Sequence, residues 1–362
     1  MSKRTSFFLG ANTPEGFVSF FDELYNPYNH CNPYIIKGGP GTGKSTLMKK
    51  VGAEMEKRGY DTEYVYCSSD EKSLDGLIVP GLSLSVADGT SPHVLEPKFP
   101  GAAENIINLG SFWDSVKLKK TGDKIRSLTL ENSIHHRRSS SYLAAAGKLS
   151  DENVRLCRDF IREEKINSFA TRFALRECDK SKKGQPGKRF KRFLSGITPD
   201  GVVFMDSTVS VLCTRVIGIE DDTGAVSNLL CERCGEAVLQ RGYDVIFCHC
   251  PIRPRECEHI IIPELSLCIL TVKRSHPVGV SCDRLIHTKR FMTEGIQNHK
   301  RRLSFNRRLM DELILQSITC LKKAKNVHDE LERIYIDAMD FDGMNKYIRT
   351  LTDEMIRVSK IE

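Results

Sequence analysis

Apolar positions along this chain follow two periods in turn. Pro33-Tyr34-Ile35-Ile36-Lys37 is a short apolar run that reads as a buried strand. A glycine-rich turn follows. From Ser45 to Lys57 the apolar residues Leu47, Met48, Val51 and Met55 then share one helical face. Thr62 to Cys67 reads as a second strand, and Leu82 to Asp88 alternates with period two before the turn signal Gly89-Thr90-Ser91-Pro92. This succession predicts a parallel sheet with helices on its faces. A predominantly helical stretch is expected over 102–178, with the strong helix formers Tyr142 to Ala146 and a solvated bend at His135 to Ser141. A second is expected over 305–361, where Met310, Ile314, Ile318 and Leu321 recur at helical spacing.

The chain also compares with itself. Arg58-Gly59-Tyr60-Asp61 recurs as Arg241-Gly242-Tyr243-Asp244, an offset of 183 (241 − 58). The same offset carries Cys67 onto Cys250, Pro80 onto Pro263, Leu82-Ser83-Leu84 onto Leu265-Ser266-Leu267 and His93 onto His276. Repeats of this length imply a duplicated domain. The expected division is 1–183, with its helical tail at 102–178, and 188–362, with C-terminal helices at 305–361; Gly184-Gln185-Pro186-Gly187 is the natural boundary.

Chemistry enters at the turn after the first strand. Gly38-Gly39-Pro40-Gly41-Thr42-Gly43-Lys44-Ser45-Thr46 fits the spacing of a phosphate-binding loop. Glycines let successive backbone N–H groups converge on an anion, and the following helix points its positive dipole end at the same place. Lys44 would reach the β- and γ-phosphates, Ser45 would hold Mg²⁺, and Thr46 would cap the helix beside the α-phosphate. A second Mg²⁺ ligand is expected at the carboxyl end of a nearby strand. Asp88 is the first choice and Asp70 the runner-up, while Asp75 reads as a cap or turn residue. His93 could orient a water, but its counterpart His276 persists where Lys44 is replaced by Ser227, which favours a structural role. In the second half the loop positions fall on Asp221 to Asn228 and Asp88 falls on Thr271. Glu220, Asp221 and Asp222 put carboxylates where an anion would sit. One nucleotide site is therefore expected, and a fragment from Lys188 to Glu362 is expected to fold yet ignore ATP.

Composition narrows the class. The chain has 362 residues, is 40% hydrophobic and 28% charged, as in a soluble globular protein of two domains, with no apolar run of membrane-spanning length. The short basic N-terminus does not read as a signal peptide, so a cytoplasmic protein is expected. Thirteen cysteines, an odd number, then point to reduced thiols. Cys231, Cys234, Cys248, Cys250, Cys257 and His259 have zinc-like spacing, yet the repeat places Cys231, Cys234 and Cys248 on core positions Met48, Val51 and Val65. The net charge is +7, concentrated in Lys180 to Arg192 and Lys289 to Arg308. With few interleaved aromatics, these read as a solvated linker and helix face rather than a nucleic-acid surface.

The chain resembles a bacterial family of tandem P-loop proteins, usually described as ATPases or ATP-binding proteins. The resemblance rests on Thr13 to Phe17, Lys37 to Lys50, Cys67 to Asp70, Ser73 to Asp75, Asp88 to His93, Tyr142 to Ala146 and Ala338 to Phe341, nearly the whole length. It implies a P-loop fold in both halves and binding of ATP with Mg²⁺. Members of that family resemble a phosphate loop in the second half too, and this chain departs there. A slow ATPase is the leading expectation. A small-molecule or nucleotide kinase, with the helical insert as its lid, and a non-hydrolysing switch that docks a protein partner are the alternatives.

Overall fold

The computed structural model describes residues 2–24, 32–91, 94–178, 184–274 and 278–358. The first half opens with β1 (Arg4–Phe7) and the hairpin β2 (Gly10–Thr13) and β3 (Gly16–Ser19). It continues through β4 (Asn32–Lys37), α1 (Lys44–Lys57), β5 (Thr62–Cys67), β6 (Asp70–Val79), β7 (Leu84–Asp88) and β8 (Asn105–Asn108). Helices α2 (Ser115–Lys120), α3 (Gly122–Arg158) and α4 (Glu163–Glu177) follow. The second half repeats the order with β9 (Arg189–Arg192), the hairpin β10 (Ser195–Thr198) and β11 (Gly201–Phe204), α5 (Asp206–Leu212), β12 (Arg215–Glu220) and α6 (Ser227–Leu239). Strands β13 (Val245–His249), β14 (Cys257–Ile262), β15 (Leu267–Val272) and β16 (Arg284–His287) lead to helices α7 (Lys300–Ile336) and α8 (Phe341–Val358). Lys44 and Ser227, 183 positions apart, each begin a helix, and Ser83 and Ser266 turn the chain with φ of 47° and 48°.

The two six-stranded sheets have the orders β1-β5-β6-β7-β4-β8 and β9-β13-β14-β15-β12-β16. They are mixed, not parallel as expected. β6 runs antiparallel to β5 and β7, and β14 does so between β13 and β15. Connection length explains the reversal. Ser68 and Ser69 alone separate β5 from β6, and four residues separate β6 from β7, whereas a parallel crossover needs about a dozen.

The helices depart further from the expected division. α4, the end of the first half, packs on the second sheet: Ile166, Phe169 and Phe173 are buried with Leu230, Cys234, Phe247 and Ile260. α8, the end of the second half, packs on the first: Met344, Ile348, Leu351 and Met355 are buried with Tyr34, Ile36, Leu47, Val51 and Val86. Each half therefore closes the other's core, and boundaries at 183 and 188 separate helices from the sheets they cover. Long helices α3 and α7 run antiparallel and cross where the Ser139 and Ser317 hydroxyls meet at 2.7 Å. Leu128 packs with Val327 and Leu331 at one end, and Asn306 donates to Asn153 at 2.9 Å near the other.

The halves are related by an approximate two-fold. Phe8 and Phe193 exchange backbone bonds of 2.9 and 2.8 Å. Trp113 bridges Met339 as its counterpart Met292 bridges Ile161. Buried Arg192 fastens the two halves through Glu63 at 2.6 Å and Glu23 at 3.2 Å. No described helix is long and apolar enough to cross a membrane.

Candidate functional site

Strand β4, between β7 and the edge strand β8, delivers the chain to a loop at the carboxyl edge of the first sheet, and α1 leaves from it. Gly41 and Gly43 hold φ of 65° and 87°, where a side chain is strained. Thr42 is buried and its hydroxyl donates to Gly39 O at 2.8 Å. Lys44, the first residue of α1, folds back over the loop: its Nζ donates to Gly38 O at 3.1 Å and Gly39 O at 2.8 Å. The Ser45 hydroxyl accepts from Leu74 N at 3.0 Å, and Thr46 is exposed on the first turn.

Asp88 ends β7 in register with Ile36 of β4, so it stands beside the loop. Its Oδ2 is 3.5 Å from Lys44 Nζ, and its Oδ1 accepts from Thr90 N and Oγ1 at 2.9 and 2.5 Å. Burial raises its pKa above the usual aspartate value, against the opposing pull of Lys44 and the Thr90 bonds. Asp70 lies apart from this pair in its bonding, held by Lys325 of α7 at 3.4 Å. Asp75 is neither a cap nor a turn residue. It is buried within β6, and its charge bears on both Asp88 and the Cys67 thiol, whose pKa is raised mainly by burial. Sequence spacing gave no sign of this second buried carboxylate. His93 and His276 lie outside the described residues.

The end of α7 and the start of α8 sit on the loop. A Cβ at Gly39 would stand 2.6 Å from Tyr335 Cε1, and one at Gly41 would stand 2.8 Å from Glu332 O. Met344 lies against Gly43, 2.9 Å from where a Cβ would be. On the same stretch of α7, potential ligand atoms of His328, Asp329 and Glu332 come within 4.8 Å of one another; Asp329 is already paired with Lys325.

The second half presents the same edge with different chemistry. Asp221, the counterpart of Gly38, turns its carboxylate into the loop and accepts from Thr223 N and Oγ1 at 3.0 and 2.8 Å. It also accepts from Val226 N and Ser227 N at 2.9 Å each. The protein's own carboxylate thus satisfies the N-terminus of α6, where dipole and free N–H groups would otherwise attract an anion. The other two acids face elsewhere: Glu220 bonds His287 at 2.6 Å, and Asp222 bonds Arg307 at 2.7 Å. Cys231, Cys234 and Cys248 are core side chains.

No protein-family model, curated protein or solved structure matches this chain.

Proposed function

We propose that the first half is a P-loop that binds ATP with Mg²⁺ and hydrolyses it slowly, and that the chain holds one such site. The observation that carries this reading is the meeting of Lys44 and Asp88, 3.5 Å apart, beneath a glycine loop that opens a helix. In this reading Gly38, Gly39, Pro40, Gly41, Thr42 and Gly43 cradle phosphate oxygens, and Lys44 exchanges the Gly38 and Gly39 carbonyls for β/γ oxygens. Ser45 and Asp88 are the hydroxyl and carboxylate that suit a hard cation. Mg²⁺ would neutralise phosphate charge there. The Asp221 carboxylate, already bonded at the equivalent place, supports a single site.

Calorimetry tests the assignment. Mg-ATP should bind once per chain, and Lys44→Ala should weaken binding about tenfold to a hundredfold, because charge-assisted bonds contribute roughly 1.5–3 kcal/mol. Equal affinity in the variant, or two sites per chain, would overturn it. Asp88→Asn should spare metal-free nucleotide binding and lose the Mg²⁺ enhancement and most turnover. If Asp70→Asn does so instead, the metal ligand is Asp70.

A second reading has an observation in its favour. Tyr335, Glu332 and Met344 touch the loop glycines, and they belong to helices that tie the two halves together. A bound nucleotide would alter that contact, as a switch that docks a partner requires. Tight binding without ADP release would select this reading over hydrolysis.

A further inference from the structure

We infer that the second half carries its own ligand site, a cavity for a small organic monoanion, such as a carboxylate on an apolar body. A cavity of about 600 Å³ opens between the carboxyl edge of the second sheet and α3 and α7. This is within the size range of small-molecule sites. One wall is apolar, formed by Ile197, Val202, Phe204, Ile252 and Ile314. Arg253 also lines the cavity.

Arg253 is the anchor. It is 9% exposed, and among the described residues no carboxylate approaches its guanidinium within 4 Å. Its Nη2 reaches the Asn228 side-chain oxygen at 2.6 Å in the amide orientation that satisfies both ends of Asn228. A guanidinium has five N–H donors, so most remain for another partner. A buried cation without a counter-ion is strongly unfavourable, and a carboxylate matches the guanidinium fork bidentately. The other cations of the cavity are engaged: Lys273 pairs with Glu258, and Arg307 pairs with Asp222. Arg253 stands where the first half has Asp70, 183 positions earlier. The duplicated edge has thus exchanged an acid for a base while Asp221 closed the loop beside it.

The same surroundings select the charge and size of the ligand. Asp222 and Asp311 line the cavity and disfavour a polyanion. With one free cation among the described residues and several apolar side chains in its lining, the site suits one negative charge at the end of a hydrocarbon or aromatic body. This inference does not depend on nucleotide binding in the first half.

Isothermal titration of the full chain with octanoate and 3-phenylpropionate, beside 1-octanol and 3-phenylpropanamide, tests it. At least one acid should bind saturably, once per chain, and its uncharged analogue at least tenfold more weakly. Arg253→Gln should weaken the acid by tenfold or more, and Val202→Phe, which fills the apolar wall, should do the same without touching the charge. Lys44→Ala and excess Mg-ATP should leave acid binding unchanged. Absence of saturable binding by both acids overturns the site. So does unchanged affinity in Val202→Phe or a folded Arg253→Gln, or competition by Mg-ATP that Lys44→Ala abolishes.

Discussion

Chains cut at the repeat boundary, 1–183 and 188–362, are expected to remain unfolded apart and to assemble a cooperative, native-like unit when coexpressed. The helix exchange is the reason. Fragment 188–362 lacks Ile166, Phe169 and Phe173, which share one buried core with α6 and the second sheet. It also carries Met344, Ile348, Leu351 and Met355 with no first sheet to cover. Each such side chain contributes roughly 1.5–3 kcal/mol on burial. Three missing and four exposed therefore match or exceed the 5–15 kcal/mol of a typical native state. Thermal unfolding followed by circular dichroism checks this. A fragment 188–362 that melts cooperatively near the temperature of the intact chain would refute it. The expectation from the repeat alone, a folded fragment silent to ATP, is replaced because that division ignores which sheet each terminal helix covers.

Acidification from pH 6.5 to 4 is expected to destabilise the protein by several kcal/mol, through two buried histidines of the second half. Burial lowers the pKa of both His249 and His259 to about 4. His249 Nδ1 bonds Pro254 O at 2.9 Å, and its Nε2 has no partner among the described residues. Protonation would place a charge there, beside Phe20 and Phe193. The nearby Lys191 and Arg189 oppose that charge and Glu232 favours it. His259 Nδ1 accepts from Thr271 N at 3.0 Å, so protonating it breaks a buried bond; Glu258 favours its charge and Lys273 opposes it. In the unfolded chain both titrate near 6.5. Between about 4 and 6.5 the unfolded state binds more protons, so stability rises with pH across that window and is lost on descending through it. Each shift corresponds to on the order of 3 kcal/mol at its full extent. Melting temperatures measured over this range should fall with acid, and His249→Gln or His259→Gln should flatten the slope. A wild-type slope unchanged in both variants would assign the acid sensitivity elsewhere.

Strand β4, helix α1, strand β5 and the end of β7 at Asp88 are determined by local sequence, because hydrophobic period, glycine and proline act within a few residues. The 183-residue offset likewise determined that Lys44 and Ser227 begin equivalent helices. The reversal of β6 was present in the sequence as connections too short for a crossover, masked by the strand–helix alternation around them. Tertiary structure alone decided the rest. An amphipathic stripe on 163–177 or 341–358 says that a helix must be covered but not by which sheet, and two similar sheets leave that choice to the antiparallel crossing of α3 and α7. The burial of Asp75 beside Asp88, the Asp221 carboxylate that satisfies the N-terminus of α6, and the charge of Arg253, which meets no carboxylate among the described residues, all depend on groups brought together by folding. A residue's letter gives its charge, and only the packed surroundings decide what that charge meets.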